Sequence, residues 1–448
     1  MKNILILGAG KSATVLIDYL LDLADELDCM VTLGDLNIAL ANDKINAHPM
    51  GKAVYFDSQD EVIRQKCIKD ADIVVSLLPA FLHPLVAKDC VAFKKHFVSA
   101  SYVSYEMKAL DEAARAANVI LLNEIGLDPG IDHMSAMRMI DHVKAQGAFI
   151  STFESYTGGL IAPESDNNPW NYKFTWNPRN VVLAGQGTAK FLQGNTYKYI
   201  PYHQLYSRYD ILEIPGQGEF EGYPNRDSLA YRNIYGLEDA ATIVRGTLRK
   251  RGFCDAWNVF VQLGMTDDTY KLENAHNLTW KAFILSFIPG ASDNVEEALA
   301  AYLGISNSAI MQKLKWLGLF DDVLIFANSN NDNQYTPAQL LQILLEQKWS
   351  LSTGDKDMVV MLHIMEFSLN QKNYRMESSM VAIGTDEIYT AMAKTVGLPA
   401  AIATKMILTG EIAQRGVVIP VTRDIYFPIL QELEAAHGIV FNEAIAVM

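Results

Sequence analysis

The sequence predicts an α/β protein: an N-terminal doubly wound parallel sheet, a second α+β domain with a mixed sheet, and a helical domain inserted into the second. Three observations predict it. The chain opens with an apolar run, a glycine-rich turn and a helical pattern in immediate succession, "ILILGAGKSATVLIDYLL". Strand and helix patterns then alternate at short pitch as far as residue 128, which is the signature of parallel strands joined by helices. Past Pro129 the alternation stops and gives way to long strands, an irregular stretch rich in Pro, Asn, Gly and aromatics, and a block of helices.

The first strand is the run Ile4 to Leu7. The Gly-Lys-Ser beyond it invites comparison with a nucleoside-triphosphate loop, which needs a glycine five residues before its second glycine. Counting back from Gly10 gives Leu5, so that reading fails. Read instead as G-x-G-x-x-A, Gly8 permits a tight turn, Gly10 lets a pyrophosphate approach the backbone, and Ala13 lets strand and helix pack closely. Val15, Leu16, Tyr19, Leu20 and Leu23 then recur at helical spacing. The N-terminus of that helix, with Lys11 and Ser12 in its first turn, supplies N–H donors and a positive dipole end to a dinucleotide. Lys11 either adds charge beside the pyrophosphate or points to water.

The second strand, "CMVTLGD", ends in Asp35. A carboxylate there accepts hydrogen bonds from ribose hydroxyls and repels a 2′-phosphate, so Asp35 points to NAD rather than NADP; a surface-turn aspartate is the alternative. "AVYFD" (53–57) is the third strand, with Asp57 at its end as a further cofactor contact. "DEVIRQKCI" is a helix and "ADIVVSLLP" (71–79) a buried strand closed by Pro79. The helix "HPLVAKDCVAF", the strand "HFVSASY" (96–102), the helix "YEMKALDEAARAAN" and the strand "VILLNEIGL" (119–127) come next. Ligands of such sheets lie beyond the carboxyl ends of the strands. Ser76, Leu77, Leu78 and Pro79, then Ser101 and Tyr102, then Leu127, Asp128 and Pro129 are therefore expected to face one crevice.

Composition narrows the function classes. At 448 residues the chain is long enough for two or three domains, and half of it is apolar. A formal net charge of -15 excludes reliance on a basic surface, so neither nucleic acid nor an anionic membrane is an expected partner. A few arginines in a cleft still suit an anionic small molecule. Four scattered cysteines without a Cys-x-x-Cys suggest neither a disulfide framework nor a metal site. No apolar run reads as long enough to span a bilayer, the N-terminal run is needed as the first strand, and a cytoplasmic setting is expected.

In the second half, "FISTFESYTGGL" (149–160) reads as a strand and 161–226 as too irregular for further repeats. Helical patterns occupy about 270 to 350. "KDMVVMLHIMEF" and "RMESSMVAIG" form a hairpin, with two helices after it, "EIYTAMAKTVG" and "PAAIATKMILTGEI". The expected domains are 1–128 for the dinucleotide, 129–269 with 351–448 for substrate and dimerisation, and 270–350 as the insertion, the last helices packing back on the first domain. Arg226, Arg245 and Arg249 lie near turn residues, and paired guanidinium groups suit a polycarboxylate; surface ion pairs are the alternative for each.

The stretches "SASY" (99–102), "NEIGLDPGIDHM" (123–134), "SYTGGLIAPESDNNPWNYKFTW" (155–176), "GYPNRDS" (222–228), "RGTLRKRGF" (245–253), "NLTWK" (277–281) and "MAKTVGLPAAIATKMILTGEI" (392–412) resemble the L-glutamate-forming saccharopine dehydrogenases. The likeness is greatest to the dehydrogenase half of the bifunctional lysine-degrading enzyme of animals and plants, which uses NAD. It implies oxidation of saccharopine at the former lysine ε-carbon, giving L-glutamate and 2-aminoadipate 6-semialdehyde. A homodimer through the second domain is expected separately, because a protein of this size with a large mixed sheet often pairs isologously. The resemblance also implies that Ser101, Tyr102, Asp128, Arg226, Thr247, Leu248 and Arg249 contact saccharopine, the arginines neutralising carboxylates in a cleft between two lobes. Tyr102 and Asp128 are the candidates for proton handling, Asp128 alternatively holding the substrate's ammonium group. His133 is expected to be structural. The chain departs from the family pattern at Thr157, where a cysteine is usual, at Ile161, where proline is frequent, and at Lys11-Ser12. The rival readings are a polyamine-forming reductase of the carboxynorspermidine or homospermidine type, and an NAD-binding sensor without catalysis.

Overall fold

The computed structural model describes residues 1–290, 293–326 and 334–448. The chain divides into two compact units, one of Met1–Phe149, Ser368–Asn373 and Met380–Ala444, the other of Ile150–Phe367, Tyr374–Ser379 and Ile445–Met448.

The first unit is built on six parallel strands, β1 (Lys2–Leu7), β2 (Cys29–Asp35), β3 (Gly51–Tyr55), β4 (Ile73–Ser76), β5 (His96–Ser99) and β6 (Ile120–Leu122), plus a seventh from near the C-terminus, Gly416–Val418. Their order across the sheet is Gly416–Val418, β6, β5, β4, β1, β2, β3. The strand order reverses between β1 and β4, which makes their carboxyl ends the ligand crevice. The central strands read as unbroken apolar runs because both faces are covered by helices. Leu5, Leu7, Val74, Val86, Phe97 and Leu121 are fully buried in one core. Helix α1 (Thr14–Asp22) comes after β1, and α2 (Ile38–Ile45) is capped by the Asn37 side chain on Leu40 N. Helix α3 (Glu61–Lys69) is capped by Asp60 on the N–H groups of Val62 and Ile63, and α4 (His83–Ala92) comes after β4.

The structure corrects several expectations. The strand expected over 119–127 stops at Leu122, because Glu124 adopts a left-handed φ of 57° and the chain turns to bond the Ser101 and Ser99 carbonyls through Glu124 N and Ile125 N. The two helices expected around Gly397-Leu398-Pro399 are one helix, Ala391–Thr409. A proline inside a helix costs roughly 3 kcal/mol. Leu398, Ile402 and Met406 are all buried, at about 1.5–3 kcal/mol each, so packing outweighs the break. Gly397 permits the approach: a Cβ there would lie 3.0 Å from Leu16 N. By length and composition this helix is apolar enough to cross a membrane, contrary to the sequence reading, yet 78% of it is buried within the fold. It is a core helix lying on α1.

The second unit is organised by a mixed sheet of β7 (Phe149–Ile161), β8 (Ala189–Gln193), β9 (Thr196–Ile200), β10 (Asp210–Ile214), β11 (Gly218–Pro224), β12 (Thr242–Lys250), β13 (Asp357–Leu369) and β14 (Lys372–Ile383). With Gly416–Val418 counted as β15, the last strand is β16 (Phe441–Val447). The path is β10-β11-β12-β7-β13-β14-β16, with β8 paired to β12 and β9. Strand β7 runs parallel to β12, whereas β10, β11 and β12 are antiparallel. Four strands thus occupy the stretch read as irregular. The missed signal was Gly194-Asn195, both at positive φ, a two-residue turn joining β8 to β9. Asn370 and Gln371 turn the β13–β14 hairpin in the same way, where a hairpin was expected.

The helices Trp280–Leu285, Val295–Leu303, Ser308–Trp316 and Pro337–Trp349, expected as a separate insertion, fall inside the second unit. Their packing shows why. Trp170 donates Nε1–H to Lys313 O at 3.0 Å, stacks on Phe260 and meets Trp349 edge-on at 5.2 Å, so the block shares the second unit's aromatic core.

Candidate active site

The glycine turn has the geometry its sequence calls for. Gly8 adopts φ 102°, and a Cβ there would stand 3.2 Å from Leu77 O, so the turn and the end of β4 approach at backbone distance. A Cβ at Gly10 would meet nothing within 4 Å, which leaves open space where a pyrophosphate must approach. Lys11–Ala13 form a short 3-10 turn before α1; Lys11 is exposed, Ser12 partly exposed and Ala13 buried. The first N–H groups of a helix have no intrahelical acceptor and are available to an anion. Asp35 Oδ2 accepts from Ala9 N at 2.7 Å and Oδ1 from Asn37 N at 2.8 Å. The Asp35 carboxylate is thus held against the turn with lone pairs to spare for ribose hydroxyls. Asp57, beyond the edge strand β3, accepts from Gln59 N at 2.8 Å and closes a local turn. These residues fit a nicotinamide dinucleotide.

At the carboxyl ends of β4, β5 and β6 the expected residues come together. Ser76 is buried, Leu77 and Leu78 are half-buried, and Pro79 is exposed at the start of a 3-10 turn. The imidazole of His83, the first residue of α4, lies 2.9 Å from Ser76 Oγ through Nδ1 and 2.9 Å from Ser101 Oγ through Nε2. Ser99 Oγ is 3.2 Å from the same Nε2 and accepts from Ser101 N. Tyr102 donates its hydroxyl to Asp128 Oδ1 at 2.9 Å. Asp128 precedes Pro129 through a cis peptide. The loop holding it is tightly cross-bonded: Gly126 N to Pro129 O at 2.9 Å, Ile131 N to Gly126 O at 2.8 Å and Gly130 N to Asp132 Oδ1 at 2.6 Å. Only glycine fits at 130, where a Cβ would fall 2.0 Å from Gly126 O. Leu127 and Pro129 are buried and Asp128 half-buried. His133 is fully buried and bonded to Glu124 Oε2 at 2.9 Å, while Glu124 Oε1 accepts from Val103 N. His133 and Glu124 therefore brace the segments carrying Tyr102 and Asp128.

The second unit presents a different chemistry. Arg245 and Arg249 lie on β12 rather than near turns; Arg226, just past β11, is exposed at φ 52°, a left-handed conformation uncommon for arginine. Arg249 is 5% exposed, its guanidinium 5.2 Å from the Tyr172 ring centre and 5.3 Å from that of Phe253. Its Nη1 donates to Leu248 O at 2.8 Å, and its Nε has no partner. Among the described residues no carboxylate pairs with it. Glu221, directly opposite on β11, accepts from Gly252 N at 2.6 Å and Cys254 N at 2.8 Å instead. The indole N–H groups of Trp257 and Trp349, in the same aromatic cluster, are also buried without an acceptor. Leu248 is wholly buried, and Thr247 sits in register with Thr157, whose buried hydroxyl is unpartnered. Arg245 packs 4.4 Å over Tyr231.

Sequence reasoning passed over His83, Glu124 and the indoles around Arg249. The signal for His83 was a titratable residue at the first position of the helix after a buried strand. The aromatic cage carried none, since its members come from distant segments. Burial raises the thiol pKa of all four cysteines, so none is poised as a nucleophile. Among the described residues no group of three His, Cys, Asp or Glu could hold a metal ion.

Burial lowers the His83 pKa to about 4. The unfolded chain titrates near 6.5, so stability present at neutral pH is lost as pH falls from 6.5 toward 4. Denaturant titrations at pH 7.5 and 5.0 should show a His83 contribution of about 2 kcal/mol to the loss, absent in His83→Gln. Equal pH slopes in the two proteins would refute a neutral, buried imidazole.

Residues 4–122 match the family model for the saccharopine dehydrogenase NADP binding domain, and residues 126–439 that for the saccharopine dehydrogenase C-terminal domain. The mitochondrial alpha-aminoadipic semialdehyde synthase of Mus musculus is 35% identical over 456 residues, covering 98% of this chain and 47% of that protein. The chain therefore spans about half the length of the mammalian relatives it matches. The Schizosaccharomyces pombe protein named saccharopine dehydrogenase (NADP(+), L-glutamate-forming) is 34% identical over 456 residues, 99% of each chain. The solved apo saccharopine dehydrogenase (L-Glu forming) of Saccharomyces cerevisiae superposes with a TM-score of 0.88 over 100% of both chains at 32% identity. A homospermidine synthase from Legionella pneumophila, solved with NAD, shares the fold alone, with a TM-score of 0.54 at 10% identity over 100% of this chain and 91% of that one. With both family models matched in sequence order and the fold shared from end to end, the chain belongs to the saccharopine dehydrogenase family.

Proposed function

We propose that the protein oxidises saccharopine to L-glutamate and 2-aminoadipate 6-semialdehyde with NAD. The observation that carries this reading is the 2.9 Å hydrogen bond from Tyr102 to Asp128, at the carboxyl ends of strands in a dinucleotide-binding sheet. A bound nicotinamide supplies the hydride acceptor. Gly8, Gly10, Ala13 and Asp35 would hold the dinucleotide. The substrate's secondary amine must lose its proton before oxidation, and water must be activated to hydrolyse the imine, both tasks for a positioned carboxylate and phenol. Asp128 either takes these protons or holds the ammonium group.

The arginines distinguish this reading from the polyamine-forming one. Saccharopine carries three carboxylates, whereas polyamine substrates are predominantly cationic and need a lining of carboxylates. A buried guanidinium without a carboxylate suits the former.

The preference for NAD rests on Asp35, whose carboxylate repels a 2′-phosphate. Residues 36–43 contain neither lysine nor arginine, and the cation that follows, Lys44, is engaged by Thr14 Oγ1 at 2.5 Å. The test is an initial-rate assay with saccharopine and either cofactor. NADH should form with little NADPH, and Asp35→Ser should narrow that preference by about tenfold, the scale of one charged contact. Equal rates with the two cofactors would reject the NAD assignment. Tight NADH binding without turnover would reject the enzyme.

A further inference from the structure

We propose that His83 is a positioning residue that sets the hydrogen-bonding polarity of Ser101 and Ser76 at the reacting end of the crevice. The inference rests on the proposed dehydrogenase reading, because Ser101 matters to the chemistry only if substrate meets it. A neutral imidazole has one N–H donor and one lone-pair acceptor, on opposite sides of the ring. His83 places one nitrogen 2.9 Å from Ser76 Oγ and the other 2.9 Å from Ser101 Oγ. The two hydroxyls are therefore forced into opposite roles. The serine facing the N–H accepts, and its own proton is free to donate outward. The serine facing the bare nitrogen donates inward, and its lone pairs face outward.

The surroundings hold the ring in one charge state and one orientation. His83 is 4% exposed, with Ser99 Oγ 3.2 Å from Nε2 and the Phe97 ring edge-on to it at a centroid distance of 6.0 Å. Desolvation alone accounts for its lowered pKa, with no charged neighbour contributing. Ser99 makes the choice of tautomer. It is wholly buried, and among the described residues Nε2 at 3.2 Å is the one acceptor its hydroxyl proton meets, so that proton is directed to Nε2. Nε2 is then the acceptor and Nδ1–H the donor to Ser76. Nε2 then has no proton to give Ser101, whose hydroxyl, the nearer at 2.9 Å, shares the single lone pair with Ser99 in a three-centre contact and turns its own lone pairs away from the ring. A hydroxyl so turned accepts from a substrate ammonium or amide N–H rather than donating to a carboxylate.

Two measurements test this. In the apo protein, long-range proton–nitrogen NMR correlations of His83 should show a single Nδ1–H tautomer that stays neutral from pH 8 to 5.5. An Nε2–H tautomer, or a cationic ring at pH 6, overturns the proposal whatever the enzyme's substrate. In steady-state assays, His83→Phe should lower kcat for saccharopine by about tenfold or more, the factor a single oriented hydrogen bond supplies. His83→Gln, whose amide reaches the Nε2 position, should recover most of the loss, and His83→Asn, which reaches only the Nδ1 position, should not. Thermal unfolding and NADH binding by fluorescence control for folding and for the cofactor site. Variants that keep wild-type kcat, or Gln and Asn variants with equal loss, overturn the positioning role. Wild-type protein inert toward saccharopine would overturn the dehydrogenase reading instead, and the NMR result would still decide the tautomer.

Discussion

Asp128→Asn should lower kcat for the proposed saccharopine oxidation by about 10²–10⁴-fold, the range typical of losing a positioned acid–base group, and should leave NADH binding unchanged. The substitution is nearly isosteric, and the Asn carbonyl can still accept from the Tyr102 hydroxyl. The loop carrying residue 128 is held by backbone bonds within 126–132 and by the buried Glu124–His133 pair, neither of which involves the Asp128 carboxylate. The melting temperature should therefore stay within a few degrees of wild type. A carboxylate that only grips the substrate's ammonium group predicts a different pattern: KM rises more than kcat falls, and the acidic limb of the pH–rate profile is retained. Steady-state kinetics from pH 6 to 10, with NADH titrated by fluorescence, separates the two. A variant with wild-type kcat would remove Asp128 from the chemistry altogether.

The second large effect pairs a loss of function with a gain, or no loss, in stability. Arg249→Met should lower kcat/KM for saccharopine by about 10²–10³-fold, because a desolvated guanidinium facing a carboxylate is worth about 3–4 kcal/mol. The same change should leave the denaturation midpoint unchanged or raise it. Among the described residues the guanidinium is buried without a carboxylate, its Nε without an acceptor, amid Tyr172 and Phe253. Replacing an uncompensated buried charge with an apolar chain of similar length removes a desolvation penalty. A structural arginine would behave oppositely, losing several kcal/mol of stability. Chemical denaturation alongside kinetics decides, and a strongly destabilised Met variant with near-normal kcat/KM would refute a substrate role.

Local pattern carried everything that could be read from sequence. The G-x-G-x-x-A turn, the apolar strands and Asp35 at the end of the second strand are local features. Their geometry comes from strand–turn–helix continuity, which is why the parallel sheet and its crevice appear where expected. Strand ends and turn residues had already singled out Tyr102, Asp128 and the arginines, and resemblance added their roles toward a substrate. Where reading relied on punctuation it failed. Gly397 and Pro399 look like a helix boundary, yet their helix is continuous because Gly397 is a contact point against Leu16. Gly194-Asn195 was passed over amid polar, aromatic text, although it turns a hairpin.

Sequence by itself therefore determined the class of fold, the dinucleotide turn and the family, since each is written in residues close together along the chain. Only the tertiary structure decided which nitrogen of His83 meets which serine, that Tyr102 reaches Asp128, and that Arg249 lies in an aromatic cage. Those relations join residues far apart in sequence, or depend on how side chains exclude water. Desolvation and hydrogen-bond direction are properties of packed space, and no one-dimensional pattern records them.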